Sequence, residues 1–196
     1  FRLEDWNNLS ALLPKLRKYG RLDALTLDKW SQRIFIEKFN QTTDDDVVLT
    51  AWKTIPKDLK KNLPLLEAYY SSLIRIGLHE KAQNGLVAEI KREWKGSLVL
   101  LFGMVESTDT MKQLRYAENW LKNHDEDTDL LLTLARLCIR TELWGKARSY
   151  LETAISIHPS PEAYQEYGRL LSRLGERDAA ADAYQTGLSM TIKSPK

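Results

Sequence analysis

The chain has 196 residues, of which 43% are hydrophobic and 29% are charged, and its formal net charge is +2. These values are typical of a folded globular chain and exclude gross disorder. The near-neutral balance argues against general nucleic-acid binding, which usually requires a strong basic excess. The longest apolar run, 98–105, is much shorter than the roughly 20 residues of a membrane-spanning helix.

The first 62 residues predict divergent helical pairs. Apolar residues recur at helical spacing over 4–19, and Pro14 is expected to kink that helix. A second helix is predicted over 27–40, with Thr26 as its N-cap. A third is predicted over 44–55, where three aspartates suit the positive end of the helix dipole.

Residues 63–127 predict degenerate helical repeats. Pro64 suits the first turn of a helix, and Gly77 suits the turn that follows it. The pattern is degenerate because Tyr70 occupies a position that usually holds a small residue. The segment 98–106 has the composition of a strand, but its place between helices favours a buried helix.

The clearest pattern lies in two adjacent units, 128–160 and 161–193. Ala180 repeats Ala147 at close to the roughly 34-residue period of a tetratricopeptide repeat. Ala135 and Gly168 are the small residues that let the two helices of each unit approach closely. One such pair cannot bury its apolar face alone, so neighbouring units must stack. We therefore predict an all-α tetratricopeptide-repeat superhelix of about eleven antiparallel helices, forming one domain over 1–196.

The sequence contains no pattern that argues for an enzyme. The three histidines, His79, His124 and His158, fall in separate turns without the i, i+4 spacing of a helical metal site. We interpret them as exposed turn residues. Cys138 lies on an apolar helix face and is predicted to be a small buried hydrophobe. We predict no catalytic residue, no metal and no cofactor.

Arginine recurs at the positions that would line the concave face. In a tetratricopeptide array this face is formed by the first helix of each pair, and Leu132 and Ile139 fall on the same predicted exposed offsets. Arginine can hold a carboxylate through two parallel hydrogen bonds. Asp129 and Glu162 are too near the helix starts to neutralise these cations. We predict that an acidic segment of another protein binds here, with ordinary solvated surface as the alternative. The predicted binding residues are Arg75, Arg136, Arg140, Arg169 and Arg173.

Essentially all of the chain resembles the C-terminal tetratricopeptide region of the HemY family, inner-membrane proteins of proteobacteria encoded in haem-biosynthesis operons. The resemblance is carried by the packing around 68–70 and by two longer stretches. These are DWNNLSALLPKLRKYG at 5–20 and WGKARSYLETAISIHPSPEAYQEYGRLLSRLGERDAAADAYQTGLSMT at 144–191.

The resemblance implies an association with late protohaem synthesis and no catalytic residue set. It also implies that the full-length protein carries two N-terminal membrane helices and an N-terminal repeat region. We therefore expect this chain to be a soluble piece of a protein anchored in the bacterial inner membrane. The chain lacks a G-x-G-x-x-G fingerprint, so flavoenzyme activity is not transferred to it.

Two hypotheses of function follow. The first is a non-catalytic scaffold that docks another protein, plausibly a haem-pathway enzyme. The alternative is a carrier that binds haem or porphyrin, motivated by the operon context of the family and by the aromatic residues, 6 Trp, 8 Tyr and 4 Phe. A haem titration would distinguish them, because a carrier should give a saturable Soret shift that depends on one of the three histidines.

Overall fold

A computed structural model describes residues 23–193 and contains ten α-helices and no strand within that range. The all-α fold is confirmed, and the helix predicted over 4–19 lies outside the described residues. The helices are α1 (Ala24–Gln41), α2 (Asp45–Thr54), α3 (Leu63–Arg75), α4 (His79–Arg92), α5 (Gly96–Met104), α6 (Thr110–Trp120), α7 (Thr128–Arg140), α8 (Trp144–Ile157), α9 (Pro161–Arg173) and α10 (Arg177–Lys193).

Two local details differ from the sequence prediction. The N-cap of α1 is Asp23, not Thr26, because the Asp23 carboxylate accepts hydrogen bonds from both the backbone N–H and the hydroxyl of Thr26, each at 2.8 Å. A short 3₁₀-helix, Leu59–Lys61, precedes α3 and was not predicted. The apolar segment 98–106 is helical as expected, and α5 buries Leu98 and Phe102.

The chain divides into two compact units, Phe1–Ala82 and Gln83–Lys196. In the first unit α3 packs against α1 and α2. Its core is built around Phe39, with the rings of Trp52 and Tyr69 stacked 3.9 Å apart between centroids. Burial raises the pKa of Tyr69 to about 12. The proposed single domain over 1–196 stays a prediction.

In the second unit the helices pack as successive pairs. Helix α7 packs on α8 and α9 packs on α10, while the first helices α5, α7 and α9 lie side by side. The predicted small residues are buried at these contacts, as Ala135, Ala147 and Ala180 show. These contacts are those expected of the last two pairs, and the repeat boundaries 128–160 and 161–193 stay a prediction.

Gly168 shows why a small residue is needed inside a pair. A Cβ atom built at this position would lie 2.7 Å from the ring of Tyr184 on α10, closer than real side chains approach. The close approach of α9 and α10 therefore depends on the missing side chain. Leu171, Ala180 and Ala183 form the buried cluster beneath this contact.

Candidate protein-docking site

Arg75, the last residue of α3, holds the end of α1. Its Nη2 donates to the carbonyl of Phe39 at 2.5 Å and to the carbonyl of Thr42 at 2.8 Å. Helix α1 ends in an extended residue, Thr42, so these carbonyls have no partner within the helix. Arg75 was predicted to face a binding partner, but its guanidinium is engaged with the backbone of its own unit.

Arg140 has the same role at the end of α5. It is the last residue of α7, and its guanidinium donates to the carbonyl of Val105 at 2.6 Å and to the carbonyl of Gly103. Gln113 also binds the end of α5, because its amide nitrogen donates to the carbonyls of Phe102 and Val105. Burial lowers the pKa of the Arg140 guanidinium.

The other first helices of the pairs end differently. After α3, α7 and α9 the chain passes through a left-handed residue: Gly77 (φ 83°), Glu142 (φ 58°) and Gly175 (φ 81°). The backbone N–H two or three residues beyond each helix then returns to a carbonyl of the last turn, as Leu143 N–H does to Cys138 at 2.9 Å. At these ends the last-turn carbonyls accept hydrogen bonds from the backbone that follows the helix. No arginine from another helix is needed to bind them.

Arg136 and Arg169 are joined by an acid that the sequence analysis overlooked. The buried carboxylate of Glu166 accepts from Arg136 Nε at 2.8 Å and from Arg169 Nη1 at 3.1 Å. The Arg136 side chain is only 15% exposed, whereas that of Arg169 is 51% exposed. Glu166 is therefore the acid that lies between these two cations, and the charge of Asp129 also acts on Arg136.

A repeat-level signal could have located Glu166. It occupies the same position in its repeat as Thr133, and both are polar residues among apolar neighbours. The hydroxyl of Thr133 donates to the carbonyl of Val99 at 2.9 Å, so it links α7 to α5, just as Glu166 links α9 to α7. A polar residue that recurs at a core offset therefore marks the contact between successive first helices.

Arg173 is the last residue of α9 and is exposed, and it makes no hydrogen bond or ion pair with residues 23–193. It occupies the same repeat position as Arg75 and Arg140. The preceding first helix, α7, ends at the left-handed residue Glu142, and its last-turn carbonyls accept hydrogen bonds from the backbone that follows. That helix end therefore offers Arg173 no open carbonyl to bind. Leu132 and Ile139, predicted to be exposed beside the arginines, are buried. They are core residues because α7 is packed between α5, α6, α8 and α9.

We use the term basic face for the surface that carries Arg136, Arg140, Arg169 and Arg173. The structure brings these four residues onto the adjacent helices α7 and α9. Three acids act on them: Glu166 binds two of the arginines, the charge of Glu106 acts on Arg140, and the charge of Asp129 acts on Arg136. Four arginines therefore face three acids. Arg140, Arg169 and Arg173 are exposed, and of these Arg173 is the one without a hydrogen bond or ion pair to residues 23–193.

The histidines and Cys138 are placed apart from this face. Cys138 is fully buried as predicted, and burial raises its pKa to about 11. His158 is exposed as expected, but His124 is not a free turn residue, because its ring stacks on Trp94 at 3.5 Å between centroids. Trp94 also donates from Nε1 to Asp127 at 2.7 Å. His79 is the first residue of α4.

Two negative findings apply to residues 23–193. No three His, Cys, Asp or Glu side chains in this range gather as a metal site would require. No helix in the same range combines the length and the apolar character needed to cross a membrane.

The paired helices and the buried small residues define a tetratricopeptide-type repeat fold. The same fold is found in the crystal structure of the MamA protein, a tetratricopeptide-repeat protein, with a TM-score of 0.51 over 83% of this chain and 93% of that one. The sequences are 19% identical, so this likeness concerns the fold alone.

In sequence, the chain is similar to Protein HemY. It is 21% identical to Protein HemY of Escherichia coli strain K12 over 192 residues, which is 96% of this chain. The match to Protein HemY of Shigella flexneri has the same identity and extent. The chain spans about half of these relatives, 48% of their length. The resemblance found in the sequence is confirmed as a distant one, and no family model matches the chain.

Proposed function

We propose that this chain is a non-catalytic docking module that binds an acidic segment of another protein on its basic face. The observation that carries the proposal is the contrast among three arginines at one repeat position. All three are exposed, but Arg75 and Arg140 donate to carbonyls at helix ends, whereas Arg173, beside the half-exposed Arg169, makes no such contact with residues 23–193. An accessible pair of guanidiniums suits a carboxylate-bearing partner.

Charge supports the same assignment. On the basic face four arginines are met by three acids, Glu166, Glu106 and Asp129. Asp129 lies eleven residues before Arg140 on α7, roughly 16 Å along the helix at 1.5 Å per residue. That separation exceeds the Debye length of about 8 Å at physiological salt, so Asp129 does not neutralise the end of the helix that carries the arginines.

The similarity to Protein HemY supports a narrower proposal about the partner. We propose that the partner is an enzyme of haem biosynthesis and that the full-length protein holds it at the bacterial inner membrane. This part rests on the resemblance alone, whereas the basic face rests on the geometry of α7 and α9. The two proposals can therefore fail separately.

The test is affinity capture from a related bacterial extract with three forms of the chain. The first is the natural chain, the second carries Arg169→Glu and Arg173→Glu, and the third carries Arg115→Glu as a charge control on the exposed surface of α6. A docked partner should be lost from the second form and retained by the third. Its capture should also weaken as salt rises, because exposed charges are screened.

Arg140 is left intact in this test because its replacement would leave the carbonyl of Gly103 without its donor and that of Val105 with Gln113 alone. Circular dichroism should therefore show unchanged helicity in the double variant. Equal recovery of the same proteins by all three forms would remove the basic face as the docking surface. Recovery of a protein outside haem biosynthesis, with loss in the double variant, would keep the docking site and remove the narrower proposal.

A further inference from the structure

The connection between α2 and α3 carries four lysines and one acid, Asp58. Lys53 lies in the last turn of α2, and Lys57, Lys60 and Lys61 follow it before α3 begins. Lys53, Lys57 and Lys61 are exposed, and none of the four lysines forms an ion pair with another of residues 23–193. We use the term lysine patch for these four residues. The patch therefore holds positive charge that the described chain does not neutralise.

The local backbone brings three of these lysines to one side. The N–H of Lys60 donates to the carbonyl of Pro56 at 3.2 Å, so the chain forms a helical turn before α3. Lys57, Lys60 and Lys61 are three or four residues apart and project from the same side of such a turn. Leu59 is buried and anchors the turn in its unit.

The indole of Trp52 joins this turn to the end of α2. The ammonium nitrogen of Lys60 lies 5.2 Å from the ring centroid of Trp52, which is the residue before Lys53. The lysine patch is therefore continuous although its members belong to two elements. Tyr69 stacks on the same indole, so the ring is engaged within its own unit and is not a free platform for nucleotide bases.

The lysine patch differs from the basic face in the kind of anion that it suits. A lysine ammonium is a point charge and lacks the planar fork that holds one carboxylate through two parallel hydrogen bonds. The patch therefore attracts anions without fixing their geometry. It also lies on a short turn between two helix ends, where a broad surface can reach it. Anionic phospholipid surfaces attract clusters of four or more lysines of this kind.

We propose that the lysine patch binds the surface of a membrane that is rich in anionic phospholipid. Its lysines contact phosphate groups, while Trp52 and Leu59 stay packed in their unit. Each lysine near such a surface favours the bound state about fivefold, so the binding is weak and reversible. The proposal does not involve Arg169 or Arg173, and it therefore stands or falls independently of the proposed docking site.

Co-sedimentation with lipid vesicles tests the proposal. The natural chain should bind vesicles of phosphatidylglycerol mixed equally with phosphatidylcholine and should not bind pure phosphatidylcholine. Binding should vanish at about 1 M salt, where the Debye length is about 3 Å. Lys57→Gln combined with Lys61→Gln should lower the partition coefficient about 25-fold, two factors of about five. Lys112→Gln combined with Lys122→Gln removes the same charge from exposed positions of the second unit and should change it less than about twofold.

A fluorescent label locates the contact. Lys61→Cys carrying an environment-sensitive fluorophore should shift its emission on the anionic vesicles, and Lys122→Cys with the same label should not. The native Cys138 is buried and should not react.

Three results would overturn the proposal. A folded chain that ignores the anionic vesicles at about 50 mM salt, where exposed charges are weakly screened, would leave an acidic protein as the occupant of the patch. Equal losses in the two lysine pairs would show that only the overall charge matters. A loss confined to Arg169→Glu with Arg173→Glu would assign lipid binding to the basic face.

Discussion

The ends of α5 and α7 differ in how they satisfy their last carbonyl groups. Helix α7 ends in a left-handed residue, Glu142, and the following backbone returns to the last turn. Helix α5 ends in an extended residue, Val105, and its carbonyls are held by Gln113 and Arg140 from other helices. Helix α7 therefore closes locally, as α3 and α9 also do, whereas α5 depends on side chains from neighbouring helices.

The largest expected effect comes from a substitution that removes the polar link between the two clear repeats. Glu166→Ala would leave Arg136, whose side chain is 15% exposed, without its hydrogen-bonded counter-charge. Loss of one partner of a buried ion pair typically costs about 3–5 kcal/mol of unfolding free energy. Urea unfolding should measure this loss, and Glu162→Ala, at an exposed position on the same helix, should cost little. Equal values for both variants would mean that Glu166 does not hold α9 to α7.

A second prediction tests the packing of the clear repeats. Gly168→Trp should destabilise the chain by about 1–3 kcal/mol or more, because the new side chain would overlap the ring of Tyr184. Gly145→Trp is the matched control, since a Cβ there meets no atom within 4 Å. Thermal melts of the two variants give the comparison directly. A wild-type melting temperature for Gly168→Trp would mean that the register of the last pair is wrong.

A third prediction concerns the left-handed residues at the helix ends that bond to their own following backbone. Glu142 adopts φ 58°, a left-handed conformation that costs most residues about 1–2 kcal/mol. Glu142→Gly should therefore raise the free energy of unfolding by about 0.5–1 kcal/mol, after the added entropy of the unfolded chain is allowed for. Gly175→Ala should act in the opposite direction. Two changes of the same sign would show that these turns do not close the helices as described.

The smallest expected effect is a pH dependence at the start of α7. Burial raises the pKa of Asp129 above its ordinary value of 3.8, and Asp127 raises it further. A raised acid pKa adds stability below pH 3.8 that is lost as the pH rises through the folded-state pKa. The natural chain should therefore lose stability relative to Asp129→Asn over that interval. Stability curves of the natural chain and Asp129→Asn that run parallel over this interval would contradict the account.

The features predicted correctly from the sequence are those set by short-range patterns. The helices follow from apolar periodicity, and Ala147, Gly168 and Ala180 are recognisable as close-contact positions because their spacing repeats. Arg75 and Arg140 were recognised as a recurring position, but their partners lie more than 30 residues away in the chain. The periodicity indicates which side of a helix a residue occupies. It does not show which helix end in the preceding repeat has carbonyl groups without a backbone donor.

The same limit explains the omission of Glu166. Its partners are Arg169 on the same helix and Arg136 in the previous repeat, 30 residues earlier. Its repeat position matches that of Thr133, but an acid is rarely buried without a partner, and the sequence does not name the partner. The binding face on α7 and α9 stays a prediction, and the sequence did not separate the arginines that make structural contacts from Arg173.

Unfolding free energies of Arg75→Ala, Arg140→Ala and Arg173→Ala, measured under identical conditions, test the central claim most directly. The first two variants should each lose about 2 kcal/mol or more, because helix-end carbonyls lose their guanidinium donor and, apart from Val105, which keeps Gln113, have no other side-chain donor in residues 23–193. Arg173→Ala should lie within about 0.5 kcal/mol of the natural chain, as expected for an exposed residue without a structural contact. A loss at Arg173 equal to that at Arg140 would contradict the assignment of Arg173 as the arginine left accessible for a partner.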